Sequence, residues 1–339
     1  MGSSQSGPVE VMELLAPAPV ASRPLRSGQR PDPTPGPGEV RLIVEACAVC
    51  RTDLQITSGD LPAKRLPIVP GHQIVGRVVE LGQGVSEDLI AQRLGVGWLA
   101  SACGRCEFCR AGRENLCQEA TFTGWDRDGG YASQVTVRAD FAQRLADDGD
   151  PVQLAPLLCG GVIGYRALRC ADLRRGERLG LFGFGASALL VAQLAVAEGY
   201  EIYVVTRDES ARRRATEHGA SWVGAPGDRP PKPLQGAITF APVAAVVVDA
   251  LRALDRGGTC VVNAIHLDRI PGFPYDLLYW ERRLMSVANF TRQDASEFLE
   301  LAQRIPIRTI VEQVPLNQAN EALAQLQDEG MAGAAVLVP

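Results

Sequence analysis

The residues whose chemistry is most sharply set by spacing are Cys103, Cys106, Cys109 and Cys117, which read C-x2-C-x2-C-x7-C. Four thiols so close together let one tight loop wrap a tetrahedral ion, and closed four-thiolate sites of this kind hold structural zinc. Read as free thiols, they would be four reactive groups crowded onto one stretch of surface. A second chemical signal is Gly183-Phe184-Gly185-Ala186-Ser187-Ala188, where G-x-G-x-x-A follows a strand-like run and opens a helix-like one. In that context a pyrophosphate approaches the backbone at a helix N-terminus. Alone, the glycine pair suits an ordinary turn equally well.

The elements that must position these residues change character twice along the chain. The first 38 residues hold many of the 23 prolines and end in Pro31-Asp32-Pro33-Thr34-Pro35-Gly36-Pro37-Gly38, which predicts an irregular lead-in. From Glu39, short β-rich runs (Val40 to Ala46, Gln73 to Glu80) separated by Gly/Pro turns predict a mostly β domain. After Pro156 apolar runs recur at Arg178 to Phe182, Glu201 to Val205, Gly236 to Ala241 and Gly258 to Ile265. Helix-compatible segments such as Ala188 to Glu198 lie between them, which predicts a parallel, doubly wound sheet. An amphipathic helix over Asp294 to Arg304, a strand Val311 to Val314, a helix near Asn317 to Asp328 and a strand Ala334 to Val338 complete the reading.

With 339 residues, 46% of them hydrophobic, the chain is long enough for two domains. A formal charge of -5, with no Lys/Arg run beyond a triplet, offers no footprint for nucleic acid or an anionic membrane and favours a small-molecule substrate. No apolar stretch of about 18 residues and no signal-like start is found, so a cytoplasmic location is expected. Nine cysteines are too sparse for a disulfide framework in a chain of this length.

A catalytic zinc needs three protein ligands and an open fourth position, and Cys50, His72 and Cys159 are of the right donor types. Spacing alone does not link them. Their motifs do: Val49-Cys50-Arg51-Thr52-Asp53-Leu54 and Pro70-Gly71-His72-Gln73-x-x-Gly76 resemble the zinc-ligand signature of medium-chain zinc alcohol dehydrogenases. Arg113-Glu114-Asn115-Leu116-Cys117, Phe122-Thr123-Gly124 and Ala155-Pro156-Leu157-Leu158-Cys159 resemble the bacterial zinc-binding members, and the ordered likeness runs from Glu39 to Pro339.

The resemblance implies an α/β protein: a β-rich GroES-like catalytic domain (residues 1–160 plus 293–339) and a Rossmann doubly wound parallel-sheet cofactor domain (residues 161–292). It implies one catalytic zinc on Cys50, His72 and Cys159 and one structural zinc on the four-cysteine loop. Asp53 would steady His72, and Thr52 would hydrogen-bond the substrate oxygen. Arg51, Gly183, Gly185, Ala186, Ser187, Ala188, Thr206 and Arg207 would serve the cofactor, and a homodimer or homotetramer is expected.

Where an NAD site carries an acid at the end of its second strand, this chain has Thr206-Arg207, which favours NADP(H) over NAD(H). Arg212, Arg213 and Arg214 either assist or form a solvated helix face, and Asp208 lies close enough to bring a carboxylate toward the ribose. Two positions depart from the family pattern. Gln55 replaces a histidine, so the proton relay from Thr52 should end in water. Gln73 replaces a glutamate, which should leave the zinc site more electropositive and favour reduction. His266, at the end of the run Thr259 to Ile265, either faces the nicotinamide in place of the lost relay histidine or merely packs in a loop. Cys47, Cys170 and Cys260 read as packing residues and His218 as a surface residue. The expected activity is hydride transfer between NADP(H) and an alcohol, aldehyde or ketone. Reduction of a C=N or conjugated C=C bond by a specialised biosynthetic reductase, and a non-catalytic dinucleotide-binding protein, are the alternatives.

Overall fold

The computed structural model describes residues 8–265, 267, 269–328 and 333–339. The chain divides into two units, Met1–Cys159 with Thr291–Ser296 and Thr309–Pro339, and Gly160–Phe290 with Glu297–Arg308.

In the first unit the strands Glu39–Ala48 and Gln73–Leu81 pair antiparallel, with Ala48 opposite Gln73. Val40, Leu42, Val44 and Ala46 are buried at alternate positions, the period of two that lays one face of a strand on a core. The seven-stranded sheet runs Val311–Pro315, Ala334–Val338, Glu39–Ala48, Gln73–Leu81, Arg93–Val96 and Gln143–Arg144, with Gln134–Arg138 also paired to Glu39–Ala48.

The lead-in is irregular over residues 31–38, as expected, but not before them. Val9–Leu14 and Leu25–Arg30 form an antiparallel pair that buries Val9, Val11, Met12, Leu14 and Leu25 in the same core. Met12 N–H donates to Tyr131 O at 2.8 Å and Leu14 N–H to Ile68 O at 2.8 Å. The prolines that argue against regular structure lie before, between and after these two strands, where no ladder bond is lost.

The second unit is a six-stranded parallel sheet in the order Trp222–Gly224, Glu201–Val205, Arg178–Phe182, Leu234–Thr239, Leu254–Val262, Arg283–Ser286. Numbered along the chain this is 3-2-1-4-5-6, the Rossmann arrangement, whose order reverses beside the first strand. Leu179, Leu181, Ala237, Ile238, Cys260 and Val261 are buried, as both faces of a covered parallel sheet require. Glu297–Arg308, which sequence places with the catalytic domain, belongs instead to this unit. Phe298 packs against Tyr165 and so closely on Gly161 that a Cβ there would stand 2.5 Å from its ring, while Glu297 accepts a 2.8 Å hydrogen bond from the Tyr165 hydroxyl. Among the described residues no helix is long and apolar enough to cross a membrane.

Candidate active site

The pairing of Ala48 with Gln73 brings the residues just beyond one strand beside those just before the other, so Cys50 meets His72. Cys159 follows the short 3-10 turn Ala155–Leu158, whose Leu158 lies over Gly95 of the neighbouring strand; a Cβ at Gly95 would stand 2.6 Å from Leu158 Cδ2. The donor atoms of Cys50, His72 and Cys159 all lie within 4.8 Å of one another, and the two Sγ atoms are 4.0 Å apart. Two thiolates bound to one tetrahedral zinc at about 2.3 Å stand roughly 3.8 Å apart, so the set fits zinc and leaves a fourth position to be filled.

Asp53 organises this centre. It is fully buried and accepts hydrogen bonds from Cys50 N–H at 2.9 Å, Gly71 N–H at 3.3 Å and the Tyr131 hydroxyl at 3.3 Å. Its Oδ1 also lies 3.1 Å from His72 Nδ1, which keeps the proton on Nδ1 and leaves Nε2 for a metal. Burial, and then the charge of Asp53, push the Tyr131 hydroxyl well above its usual range, so it remains a donor. Gly71 has φ +97°, and a Cβ there would stand 2.4 Å from Tyr131 Cδ1; only glycine lets the chain turn His72 toward Cys50. Cys47, fully buried, packs under the same turn.

The thiols are electrostatically divided. The hydrogen bond with Cys159, against the effect of burial and aided by His72, holds Cys50 well below the ordinary thiol range. That same bond and burial push Cys159 well above it. Against the pull of burial, Asp53 and Cys50 raise His72 to about 10. Cys50 also caps the helix Arg51–Ser58, where the first-turn dipole favours a thiolate. A divalent cation entering this cluster would displace the proton shared by the two sulfurs and the Nε2 proton that His72 carries without it.

Thr52 is buried with its Oγ1 3.8 Å from Cys50 Sγ. Gln55 Oε1 is buried with no hydrogen-bond partner among the described residues. Gln73 is buried and donates from Nε2 to Ala48 O at 3.3 Å, tying together the two strand ends that carry Cys50 and His72; a glutamate carboxylate could not donate there. Arg51 is exposed at the start of its helix. His266 lies outside the described residues. Tyr131 stands in no sequence motif, although the paired Gly129 and Gly130 before it signal a close backbone approach. A Cβ at Gly129 would stand 1.9 Å from Gly71 O.

Cys103, Cys106, Cys109 and Cys117 form a second group with all four sulfurs within 4.8 Å. Three N–H groups, those of Cys103, Cys106 and Cys109, each point at another member's Sγ at 3.4 Å. Such donors stabilise thiolate, and the N–H groups of Arg105 and then Cys106 lower Cys103 to about 7. Burial and the bond with Cys106 push Cys109 up to about 12. The donor set is closed, with four sulfurs and no position to spare.

In the second unit Gly183 turns the chain at φ +92° after Arg178–Phe182, where a Cβ would stand 2.8 Å from Ala241 N. Gly185 caps the helix Ala186–Ala197, and a Cβ at Gly185 would meet nothing within 4 Å, so the space that its missing side chain leaves open suits an approaching pyrophosphate. Ser187 is spent internally, donating to Gly160 O at 2.7 Å, and Ala188 is buried. Thr206 is buried at the end of Glu201–Val205, and Arg207 beside it is exposed. Asp208 caps the helix Glu209–Glu217, accepting from Ser210 N–H, Ala211 N–H and the Ser210 hydroxyl. Of the arginine triplet, Arg212 donates to Thr206 O and Arg207 O, Arg213 pairs with Glu209, and Arg214 bonds the Ser210 hydroxyl.

A β-rich unit bearing a three-donor cluster that could hold a metal, followed by a Rossmann sheet with a glycine turn, defines a medium-chain dehydrogenase architecture. Residues 36–147 match the alcohol dehydrogenase GroES-like domain. The chain is 46% identical over 332 residues to a Mycobacterium tuberculosis (strain CDC 1551 / Oshkosh) protein named "Probable alcohol dehydrogenase AdhA", with 96% of each chain covered. It is 35% identical to an alcohol dehydrogenase of Geobacillus stearothermophilus, covering 88% of this chain and 91% of that one. The fold superposes on a thermostable alcohol dehydrogenase from Pyrobaculum aerophilum with TM-score 0.89 at 23% identity, over 98% of this chain and 100% of that chain. The protein belongs to the medium-chain zinc alcohol dehydrogenase family.

Proposed function

We propose that this chain is a zinc-dependent alcohol dehydrogenase that moves hydride between NADP(H) and an alcohol, aldehyde or ketone. The observation that carries the reading is the convergence of Cys50, His72 and Cys159 on one point beneath a fully buried Asp53. Bound there, zinc would act as a Lewis acid on the substrate oxygen. A second zinc on the four-cysteine loop would be structural.

The chain's own residues do the rest. Asp53 fixes the ring of His72, and Tyr131 holds Asp53 in turn. Thr52 Oγ1, beside Cys50 Sγ, is placed to hydrogen-bond the substrate oxygen and to take or return its proton. Gln55 does not titrate, so the proton held at Thr52 passes to water. Gln73, neutral and bonded to Ala48, adds no negative charge behind the sulfurs, which favours the reductive direction.

Preference for NADP(H) follows from what surrounds the second strand. Thr206 supplies no carboxylate, and that of Asp208 is consumed by its helix cap. Arg207, exposed beside Thr206 with its carbonyl bonded by Arg212, would carry the positive charge that suits a 2'-phosphate. Location in the cytoplasm and assembly as a homodimer or homotetramer complete the proposal. The test is a screen of alcohols, aldehydes and ketones with NADP(H) and NAD(H), following reduced-ring absorbance alongside metal analysis. Turnover with NADP(H) and two zinc ions per chain are expected; a protein that turns over none of them, or whose zinc resides only on the four-cysteine loop, overturns the reading.

A further inference from the structure

Two of the three donors at the metal centre are ordered by Asp53, through the Cys50 backbone and the His72 ring. Cys159 arrives on a different segment, residues 143–158, which is laid along the strand Arg93–Val96. Leu94 pairs with Arg144, Gly95 pairs with Gln143, and Leu145 N–H donates to Arg93 O at 3.0 Å. Past this pairing the chain turns over residues 146–149, forms the helix Pro151–Leu154 and the buried turn Ala155–Leu158, and reaches Cys159.

One side chain holds the turn. Arg93 is buried, and its Nη1 donates to Ala146 O at 3.1 Å, Asp147 O at 2.8 Å and Gly149 O at 2.7 Å. The other edge of the guanidinium is fixed by Glu45, whose two carboxylate oxygens accept from Nε at 2.7 Å and Nη2 at 3.3 Å. A carboxylate that takes both donors of one edge sets the plane of the fork, and a lysine has no second nitrogen with which to meet carboxylate and carbonyls at once. Arg77 reinforces the arrangement from a more exposed position, bonding Glu45 Oε1 at 3.0 Å and Asp147 Oδ1 at 2.8 Å.

Few residues separate this clamp from the thiol. A Cβ at Gly149 would stand 2.8 Å from Leu154 Cδ1, so the clamped turn lies against the helix that follows. Asp150 caps that helix, accepting from Val152 N–H at 2.9 Å. Leu158, the residue before Cys159, returns to the same strand: a Cβ at Gly95 would stand 2.6 Å from Leu158 Cδ2 and 3.0 Å from Leu145 Cδ1. The strand thus contacts the segment near its start through Arg93 and just before the ligand through Gly95.

We infer that Arg93 is a positioning residue for the third metal ligand: its guanidinium, fixed by Glu45, holds the 146–149 turn and thereby sets where Cys159 Sγ stands relative to Cys50 and His72. This rests on the zinc-dependent reading of that centre. Removing the guanidinium leaves three carbonyls without their donor and frees the stretch that carries Cys159. The loop from Cys103 to Cys117 is ordered by its own backbone N–H groups and should not respond.

The test follows zinc release from the purified, zinc-loaded full chain to a colorimetric chelator, with visible spectra after exchange of the metal for cobalt. The wild type should release two zinc ions per chain in two phases, one of which Cys159→Ala abolishes. Arg93→Gln should speed that phase by about tenfold to a hundredfold, leave the other unchanged and shift the cobalt absorption bands. Arg93→Lys should recover part of the loss, and Arg77→Gln should release zinc as the wild type does. Gly95→Ala should speed the same phase and serves if Arg93→Gln does not fold. An Arg93→Gln protein with a lower melting temperature but wild-type release and cobalt bands overturns the inference and leaves the zinc reading standing. So does an Arg77→Gln protein as fast as Arg93→Gln, which would put surface charge in place of the clamp. A wild type whose single zinc survives Cys159→Ala overturns both.

Discussion

The two sulfur-rich centres of the first unit are built on opposite plans. In the loop from Cys103 to Cys117 each ligand is the neighbour of the next, backbone N–H groups of the same loop point at the sulfurs, and all four donors are protein atoms. At Cys50, His72 and Cys159 the donors come from three separate segments and number only three. Their orientation depends on a buried carboxylate that belongs to neither sulfur. A centre made from one loop needs little from the rest of the protein and has no place for a reactant. One made by tertiary packing can hold a position open because the fold, and not the metal, sets the donor spacing.

The sharpest way to break this contrast is Cys159→Ala. Activity should fall by at least about a thousandfold, the several kcal/mol that a Lewis acid supplies. Zinc should drop from two ions to one per chain, with little change in melting temperature; two ions retained would refute the assignment. Asp53→Asn comes next, since partners that orient a ligand are worth about 10 to 100 in metal affinity or activity. Competition with a chelator, measured beside kcat, would show whether the loss follows the metal at the three-donor centre while the loop retains its own.

Cys106→Ser should invert the pattern. Loss of the loop's zinc lowers the melting temperature, while turnover by the folded fraction stays within about threefold of the wild type, because the ion there holds structure and not substrate. An equal collapse of activity at unchanged stability would erase the distinction between the centres. The smallest effect is expected for Tyr131→Phe. Losing one hydrogen bond to a buried carboxylate should cost about 1.5–3 kcal/mol of stability by denaturant unfolding, with zinc content unchanged.

Much of the architecture is legible in the residue order. The alternation in Glu39–Ala48 and the repeated apolar runs after Arg178 correspond to strands, and the family resemblance carried the fold class. The hairpin Val9–Leu14 with Leu25–Arg30 was not legible, because proline density masks strands whose prolines lie only in their connections. The grouping of Glu297–Arg308 with the second unit was equally hidden; it depends on Phe298 finding Gly161 and Tyr165. Tyr131 and Trp98 stand in no motif, and their nearness to Asp53 and His72 exists only once loops distant in sequence are packed. By residue type Gln73 signals only a missing charge, and the structure adds a hydrogen bond to Ala48 that an amide, unlike a carboxylate, can donate.

By itself the sequence determined whatever is local: a four-thiol loop, a glycine turn opening a helix, strands with a period of two, and an order of motifs that names a family. Short-range spacing is enough there because the interacting groups are held by a few consecutive backbone torsions. Tertiary structure alone decided that Cys50, His72 and Cys159 share one point, that Asp53 is satisfied on every side, and that the Trp98 ring stands edge-on beside His72. Those relations depend on strand register and on glycines that let two backbones touch, and neither is set by any one stretch of chain.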